Sequence, residues 1–279
     1  MKITVLIENT TDSELVAEHG LSLFIEFNGK KYLLDSGQSG SFMDNAVQLG
    51  IDVSQAECSI LSHGHYDHAG GFDRCLAEIS DMKIYAMDSA MEEYYSASGG
   101  MHSIGIPKEI LDKYTDRFIK VDRITCIGEG IWLIPHTTKG LFSIGSRAGL
   151  YRKIGGEIIP DDFHHEMSLV FDTDKGLVIF NSCSHGGICN IIREVKTVLP
   201  DRKVYAFVGG LHMKGMKDGV EYCTFSETEI EEIAEFLKNE GVEYIYTGHC
   251  TGCIGAGLLK KACEFTKVYS LMTGRKYTI

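Results

Sequence analysis

Three histidines and one aspartate fall within six residues of one another in the segment SHGHYDHAGG, residues 62–71, called here the histidine loop. The four preceding residues, CSIL, predict a short buried strand, and an extended backbone points alternate side chains to one face. His63 and His65 continue this alternation, so both can face one metal position. Asp67 and His68 follow where the chain turns towards a helix, so they can face a second position nearby. Imidazole together with carboxylate suits zinc or a similar divalent metal.

Additional ligands must come from other segments, because one loop with four ligands cannot complete two metal sites. His185 in NSCSHGG and His249 in YTGHCTG each follow a predicted strand and are the strongest candidates. Two metals about 3.5–4 Å apart could activate a shared water and bind the attacked and leaving oxygens of a substrate. The alternative interpretation of the histidine loop is a solvated turn. This alternative is disfavoured because four possible ligands follow an apolar strand in register.

Two further histidines are candidates for catalysis. His165 in FHHEMSL and His212 in GGLHM lie beside predicted strands and, together with Asp67, could orient a substrate or move a proton. A structural role is the alternative for each of the two histidines. His19 and His102 are expected at the surface.

The composition disfavours several classes of function. The chain has 279 residues, of which 44% are hydrophobic, and a formal net charge of −12. It has no long run of lysine or arginine, so neither nucleic acid nor an anionic membrane is an expected partner. A small-molecule substrate is expected instead, and the composition does not define the oligomeric state.

The cysteines indicate the expected compartment. Nine cysteines are scattered and lie mostly in apolar segments, and the N-terminus turns polar too early for a signal peptide. Free thiols in a reducing cytoplasm are therefore expected. Cys250 and Cys253 form a C-x-x-C pair, but there is no second pair to complete a structural zinc site. The pair is expected to pack in the loop after His249, with a redox role as the alternative.

The order of predicted elements indicates the architecture. A strand-rich first part and a strand-rich middle precede alternating strands and helices from residue 182 to 279. Helices on the outer faces of two packed sheets would give a mixed α/β (α+β) protein, a four-layer αββα sandwich. No linker divides the chain, so residues 1–279 are predicted to form a single domain. Residues 88–114, rich in methionine and tyrosine, predict a helical surface insertion.

Several of these segments resemble the metallo-β-lactamase superfamily. HGHYDH matches its H-x-H-x-D-H signature, KYLLDSGQ resembles its strand–Asp–Thr/Ser–Gly element, and YIYTGHC resembles its last histidine motif. The resemblance implies an αββα fold with a binuclear metal site between the sheets, and it implies that Asp35 is a hydrogen-bonding partner close to the metals. It implies two ligand sets: His63, His65 and His185 for one metal, and Asp67, His68 and His249 for the other.

Longer stretches resemble one subgroup of this superfamily, among them LLDSGQSGSFMDNAVQLGID, VIFNSCSHGGICNI and FVGGLHM. That subgroup is described as metal-dependent hydrolases and includes proteins similar to the dihydropterin-condensing synthases of methanopterin biosynthesis. Most hydrolases of the superfamily carry a metal-bridging aspartate at the position where Cys183 stands. Cys183 could be a thiolate ligand or a small buried residue. The sequence therefore does not decide whether a second metal binds.

Three functions follow from these residues and this resemblance. The first is a hydrolase with one or two divalent metals per chain, zinc before manganese or iron, acting on an acyl or phosphoryl (phosphodiester-like) small molecule. The second is a transferase that condenses a dihydropterin diphosphate with an arylamine phosphoribosyl compound, with the aromatic residues of 88–114 as a possible surface for a flat ring. The third is a metal-bearing protein that binds a ligand without turnover, which the cysteine at position 183 supports.

Overall fold

The computed structural model describes all residues from Met1 to Ile279. The strands are β1 Lys2–Ile7, β2 Ser22–Phe27, β3 Lys30–Leu34, β4 Cys58–Ile60, β5 Ile84–Met87, β6 Tyr94–Ser96, β7 His102–Ser103, β8 Phe118–Val121, β9 Thr125–Gly128, β10 Ile131–Pro135, β11 Leu150–Ile154, β12 Glu157–Pro160, β13 Met167–Thr173, β14 Gly176–Phe180, β15 Val204–Val208, β16 Lys214–Lys217, β17 Val220–Cys223, β18 Tyr244–Thr247, β19 Lys267–Ser270 and β20 Lys276–Thr278. The α-helices are α1 Ser41–Gln48, α2 Tyr66–Ala69, α3 Phe72–Glu78, α4 Lys108–Tyr114, α5 Phe142–Ala148, α6 Ile188–Val198, α7 Glu227–Asn239 and α8 Gly252–Ala262.

The chain separates into two compact units, and unit 1 comprises Met1–Arg123, Lys139–Met167 and Met272–Ile279. Its main sheet has the strand order β20-β1-β2-β3-β4-β5-β8. The strands β1, β2 and β3 are antiparallel neighbours, whereas β3, β4, β5 and β8 run parallel. Parallel strands end at one edge of a sheet, so Asp35 after β3 and the histidine loop after β4 emerge side by side.

A second sheet of unit 1 has the order β12-β11-β6-β7, and its strands β6 and β7 lie within the predicted helical insertion. The prediction of helices over residues 88–114 is wrong for β6 and β7, and α4 is the only α-helix in this segment. The physical reason is long-range pairing, because β6 is stabilised by hydrogen bonds with β11, more than fifty residues further along the chain. Tyr94 from β6 packs there with Ile104, Leu150 and Phe163 in a buried apolar cluster.

Unit 2 comprises Ile124–Thr138 and Ser168–Leu271, and its main sheet has the order β19-β18-β15-β14-β13-β10-β9. The strands β14, β15, β18 and β19 run parallel and are connected through α6, α7 and α8, as the predicted alternation of strands and helices requires. Apolar side chains of α6 and α7, among them Ile192 and Ile233, form one buried cluster with Phe207 and Ile245 of this sheet. A capping box formed by Ser226 and Glu229 begins α7.

The predicted mixed α/β class is confirmed by these sheets and helices. The single domain over residues 1–279 stays a prediction. All nine cysteines are free thiols, as expected, and the cytoplasmic location inferred from them stays a prediction as well. No helix reaches the length and the apolar character that crossing a membrane requires.

Candidate metal centre

The histidine loop follows β4 directly and brings its four ligand candidates into one buried cluster in unit 1. His63 and His68 are fully buried, and His65 and Asp67 are 5% and 7% exposed. The ring centroid of His63 lies 4.6 Å from that of His65 and 4.3 Å from that of His68. His63 lies as close to His68 as to His65, so the distances do not separate the pair His63 and His65 from the pair Asp67 and His68. Two metal positions therefore stay a prediction.

Asp35 holds this cluster from the end of β3. Its fully buried carboxylate accepts hydrogen bonds from the backbone N–H of Ser62 at 2.7 Å, from the Ser62 hydroxyl at 2.7 Å and from Nδ1 of His68 at 2.7 Å. Its backbone has a φ of +57°, a left-handed conformation that costs free energy for a residue other than glycine. Asp35 therefore fixes Ser62 and His68, and its place close to a metal stays a prediction.

These hydrogen bonds select the nitrogen that each imidazole can offer to a metal. The Ser62 hydroxyl donates to Asp35, so its oxygen is the acceptor for Nδ1–H of His63 at 2.8 Å. Nδ1–H of His68 donates to Asp35 in the same way. Each ring then presents the lone pair of Nε2, which is how proteins orient histidine ligands of zinc. The donor set therefore fits a divalent metal.

The two histidines expected at the surface differ in their surroundings. His102 is exposed and contacts the carbonyl oxygen of Gly100. The side chain of His19 is 51% exposed, but its Nε2 lies 3.2 Å from Oδ2 of Asp67. His19 is therefore a neighbour of the ligand cluster that sequence reasoning missed, because nothing in its local sequence connects it with the histidine loop.

His165 lies behind the histidine loop and is fully buried in unit 1. Nδ1 of its ring accepts a hydrogen bond from the backbone N–H of Gly64 at 3.0 Å, and Nε2 lies 3.0 Å from Oδ2 of Asp161. Burial opposes ionisation of Asp161, but the contact with His165 and the hydrogen bond from the Phe163 N–H outweigh it and lower the pKa of Asp161 strongly. Asp161 is a second residue that sequence reasoning missed.

Unit 2 presents its three predicted histidines at the carboxyl ends of neighbouring parallel strands. His185 follows β14, His212 follows β15 and His249 follows β18. His185 and His249 are each 3% exposed, and the ring centroids of His185 and His212 lie 4.6 Å apart. His212 and His249 have positive φ angles of 49° and 50°, and such strained backbone is common at functional sites.

The loop that carries His185 is held by hydrogen bonds to the loop after β15. The Ser184 hydroxyl donates to the carbonyl oxygen of Gly210 at 2.7 Å, and the Gly210 N–H donates to the carbonyl oxygen of Ser182 at 2.7 Å. A Cβ atom at Gly209 would collide with the carbonyl oxygen of Asn181. Glycine is therefore required at position 209 for the two loops to approach each other.

Cys183 lies in the same loop and is 3% exposed. Sγ of Cys250 lies 3.6 Å from the carbonyl oxygen of Cys183. Burial opposes ionisation of the Cys250 thiol, but hydrogen bonds with Cys183 and His212 outweigh it and place its pKa well below the ordinary value. Cys250 thus packs in the loop region after His249, as expected, whereas Cys253 is exposed.

A histidine–glutamate pair, His136 and Glu194, packs against the loop of His185 at Gly186. Nδ1 of His136 lies 2.9 Å from Oε2 of Glu194, and the imidazole of His136 occupies the space that a Cβ at Gly186 would need. Oε1 of Glu194 accepts hydrogen bonds from the N–H groups of Thr137 at 2.9 Å and Thr138 at 2.6 Å. The 58 residues between His136 and Glu194 hide this pair from sequence reasoning.

Replacing Glu194 by glutamine is expected to lower the free energy of unfolding by about 1–3 kcal/mol at pH 7, because an amide N–H₂ would face a donor. Burial raises the pKa of Glu194, but His136, Thr138 and Thr137 outweigh burial and lower the pKa below its ordinary value. The carboxylate therefore contributes stability above its unfolded pKa of about 4.3, and this contribution is lost as pH falls through the folded pKa. Urea unfolding at pH 7 and at pH 3 measures the difference.

The matched control is Glu235→Gln on the exposed face of α7, which is expected to change stability by less than about 0.5 kcal/mol. An equal loss for Glu194→Gln at both pH values would contradict the role of the charge.

Comparison with known proteins identifies the family. A family model described as the metallo-beta-lactamase superfamily matches residues 16–149. The chain is 29% identical over 269 residues to the 7,8-dihydropterin-6-methyl-4-(β-D-ribofuranosyl)-aminobenzene-5'-phosphate synthase of Methanocaldococcus jannaschii, covering 90% of this chain and 88% of that protein. It is 26% identical over 254 residues to an uncharacterised protein of the same archaeon, covering 90% of each chain.

The fold of this chain is similar to that of a solved structure described as a metal-dependent hydrolase of the β-lactamase superfamily. That structure is 30% identical to this chain, with a TM-score of 0.80, and the alignment covers 100% of this chain and 99% of that one. The fold class and the resemblance inferred from the motifs are thereby confirmed. The chain belongs to the metallo-β-lactamase superfamily.

Proposed function

We propose that the protein is a metal-dependent hydrolase that acts on an acyl or phosphoryl group of a small molecule. The observation that carries this proposal is the buried donor set of the histidine loop, in which Ser62 and Asp35 orient His63 and His68. A bound divalent cation supplies Lewis acidity, which polarises a substrate oxygen and makes water a better nucleophile near neutral pH. We propose zinc before manganese or iron, with one or two ions per chain.

The residues of unit 1 have distinct roles in this proposal. His63, His65, Asp67 and His68 hold the metal, and Asp35 keeps two of them in position through the Ser62 hydroxyl and directly. Asp67 also contacts the half-exposed His19, which places a carboxylate between the buried imidazoles and solvent. Asp67 is therefore the group that we propose to hold a proton during the reaction.

We propose that histidines of unit 2 also take part in the metal site. His185 and His249 are further ligands in this proposal, and His212 orients the substrate. Cys183 stands where most related hydrolases carry an aspartate, and a thiolate there would bind zinc more readily than magnesium or calcium.

The test of this proposal is metal-dependent turnover. Protein freed of metal with a chelator and reloaded with Zn²⁺, Mn²⁺ or Fe²⁺ is expected to hydrolyse phosphodiester or ester substrates only when loaded. His68→Ala is expected to abolish this activity, and His102→Ala, an exposed control, is expected to retain it. Turnover that survives in the metal-free protein or in His68→Ala would contradict the proposal, and metal binding without any turnover would favour a ligand-binding function.

A second candidate is a transferase that couples a dihydropterin diphosphate to an arylamine phosphoribosyl compound. The 29% identity to a synthase over 90% of the chain favours this candidate. Tyr94 is not an open surface for a flat ring, because it is fully buried and packs on His165 at a centroid distance of 3.9 Å. Incubation with both compounds, followed by mass spectrometry, separates the two functions. A coupled product supports the transferase, whereas release of diphosphate without coupling supports hydrolysis.

A further inference from the structure

We infer that His165 is a positioning residue, a neutral imidazole that Asp161 fixes in one tautomer so that it holds the Gly64 peptide between the ligand candidates His63 and His65. This inference rests on the proposed metal site. It also gives His165 a role different from the proton transfer expected from the sequence.

The hydrogen bonds of His165 define its tautomer. The Gly64 N–H donates to Nδ1 at 3.0 Å, so Nδ1 must present a lone pair. The ring proton is then on Nε2, which donates to Oδ2 of Asp161 at 3.0 Å. Oδ1 of Asp161 accepts from the Phe163 N–H at 2.9 Å. Both oxygens of Asp161 therefore accept hydrogen bonds, and the tautomer of His165 follows from that arrangement.

Packing keeps the imidazole in place. The ring of Tyr94 lies against that of His165 at a centroid distance of 3.9 Å and an interplanar angle of 34°. The Tyr94 hydroxyl donates to the carbonyl oxygen of Ser89 at 2.7 Å, which anchors the tyrosine. A Cβ atom at Gly64 would collide with the carbonyl oxygen of Ala90. Gly64 is thus in close contact with Ala90 as well as hydrogen-bonded to His165.

The same contacts argue against two other roles for His165. His65, Asp161 and His165 offer ligand atoms within 4.8 Å of one another, as a metal site would. However, both ring nitrogens of His165 already take part in hydrogen bonds, and the side chain is fully buried. Binding a metal or transferring a proton would break the contact with Gly64 or with Asp161.

The position of the Gly64 peptide determines the direction of the side chains on either side of it. A residue that holds metal ligands in this indirect way typically changes metal affinity by about 10–100-fold when it is removed. His165→Leu, which removes the acceptor for the Gly64 N–H, is therefore expected to weaken Zn²⁺ binding by about 10–100-fold. His165→Asn places Oδ1 close to the position of Nδ1 and is expected to restore affinity to within about threefold of the wild type.

Asp161→Asn provides a second variant of similar shape. An asparagine has only one acceptor oxygen, so its N–H₂ group would face either the Phe163 N–H or Nε2–H of His165. Metal affinity is expected to fall by about 10–100-fold here as well. Urea unfolding of the metal-free variants shows that each one folds before its affinity is compared.

The direct test is the tautomer of His165 in the metal-free, full-length wild type, measured by long-range ¹H–¹⁵N NMR. A proton on Nε2 together with slow exchange of the Gly64 amide supports the inference, and a proton on Nδ1 overturns it. Zn²⁺ competition with a chromophoric chelator is the second test. Equal affinities of the wild type and His165→Leu overturn the positioning role alone, whereas a wild type that binds no Zn²⁺ overturns the proposed function with it.

Discussion

Replacement of Asp35 by alanine is expected to lower the free energy of unfolding by about 3–5 kcal/mol. The carboxylate accepts three hydrogen bonds from buried donors, two on Ser62 and one on His68, and the substitution leaves all three unsatisfied. The positive φ of residue 35 also remains strained with alanine. Urea unfolding of the metal-free protein at pH 7 measures this loss without any contribution from metal binding.

Asp35→Asn separates the packing of the side chain from its charge. It keeps the shape, but its N–H₂ group must face one of the donors, so metal affinity is expected to fall by about 10–100-fold with a smaller loss of stability. Asp174→Ala, at an exposed position, is the control and is expected to change stability by less than about 0.5 kcal/mol. A loss below about 1 kcal/mol for Asp35→Ala would show that this network does not hold the histidine loop.

His63→Ala is expected to lower kcat/KM of the metal-loaded protein by about 10³-fold, which corresponds to the several kcal/mol that a bound metal contributes to a transition state. His63 is fully buried and Ser62 holds its Nδ1, so the substitution removes the ring nitrogen, Nε2, that faces the proposed metal position. Steady-state kinetics at saturating metal measures the effect, with His102→Ala as the exposed control. Comparable kinetics for His63→Ala and the wild type would remove His63 from the site.

The parts of the site that could be predicted are those in which the ligand pattern is local. The histidine loop follows an apolar strand within a few residues, so the spacing of His63, His65, Asp67 and His68 was sufficient to predict that they lie together. His185 and His249 were predicted at the ends of parallel strands, and the structure places them there. Each of these inferences needs only two rules: alternate side chains of a strand point to the same face, and parallel strands end at the same edge of a sheet.

The parts that could not be predicted depend on contacts between distant segments. Gly64 and His165 are 101 residues apart, so the sequence indicates a catalytic histidine and does not show the contact from which we infer a positioning role. The pairing of β6 with β11 also joins distant segments, which is why the sequence predicts a helical insertion over residues 88–114 and misses its strands β6 and β7. Local propensity carries no information about such pairings, because the partner strand supplies the stabilising hydrogen bonds.

Cys183 combines both cases. The sequence shows a cysteine where the family resemblance implies an aspartate, and the structure shows which residues surround it. The cysteine lies buried after β14, and Cys250 packs against its carbonyl group. Cys183→Asp would place a carboxylate where the family resemblance implies one. If Cys183 serves as a thiolate ligand, this variant is expected to shift metal preference from zinc towards manganese, since carboxylate oxygen is the harder donor.

The central claim is that the histidine loop binds a transition metal, and metal content measured together with anomalous diffraction tests it most directly. Protein purified without added metal is expected to contain at least one transition metal per chain, with an anomalous peak beside His63, His65, Asp67 and His68. His63→Ala is expected to lose that metal while remaining folded. Less than one metal per chain in the wild type, with the same content in His63→Ala, would contradict the account.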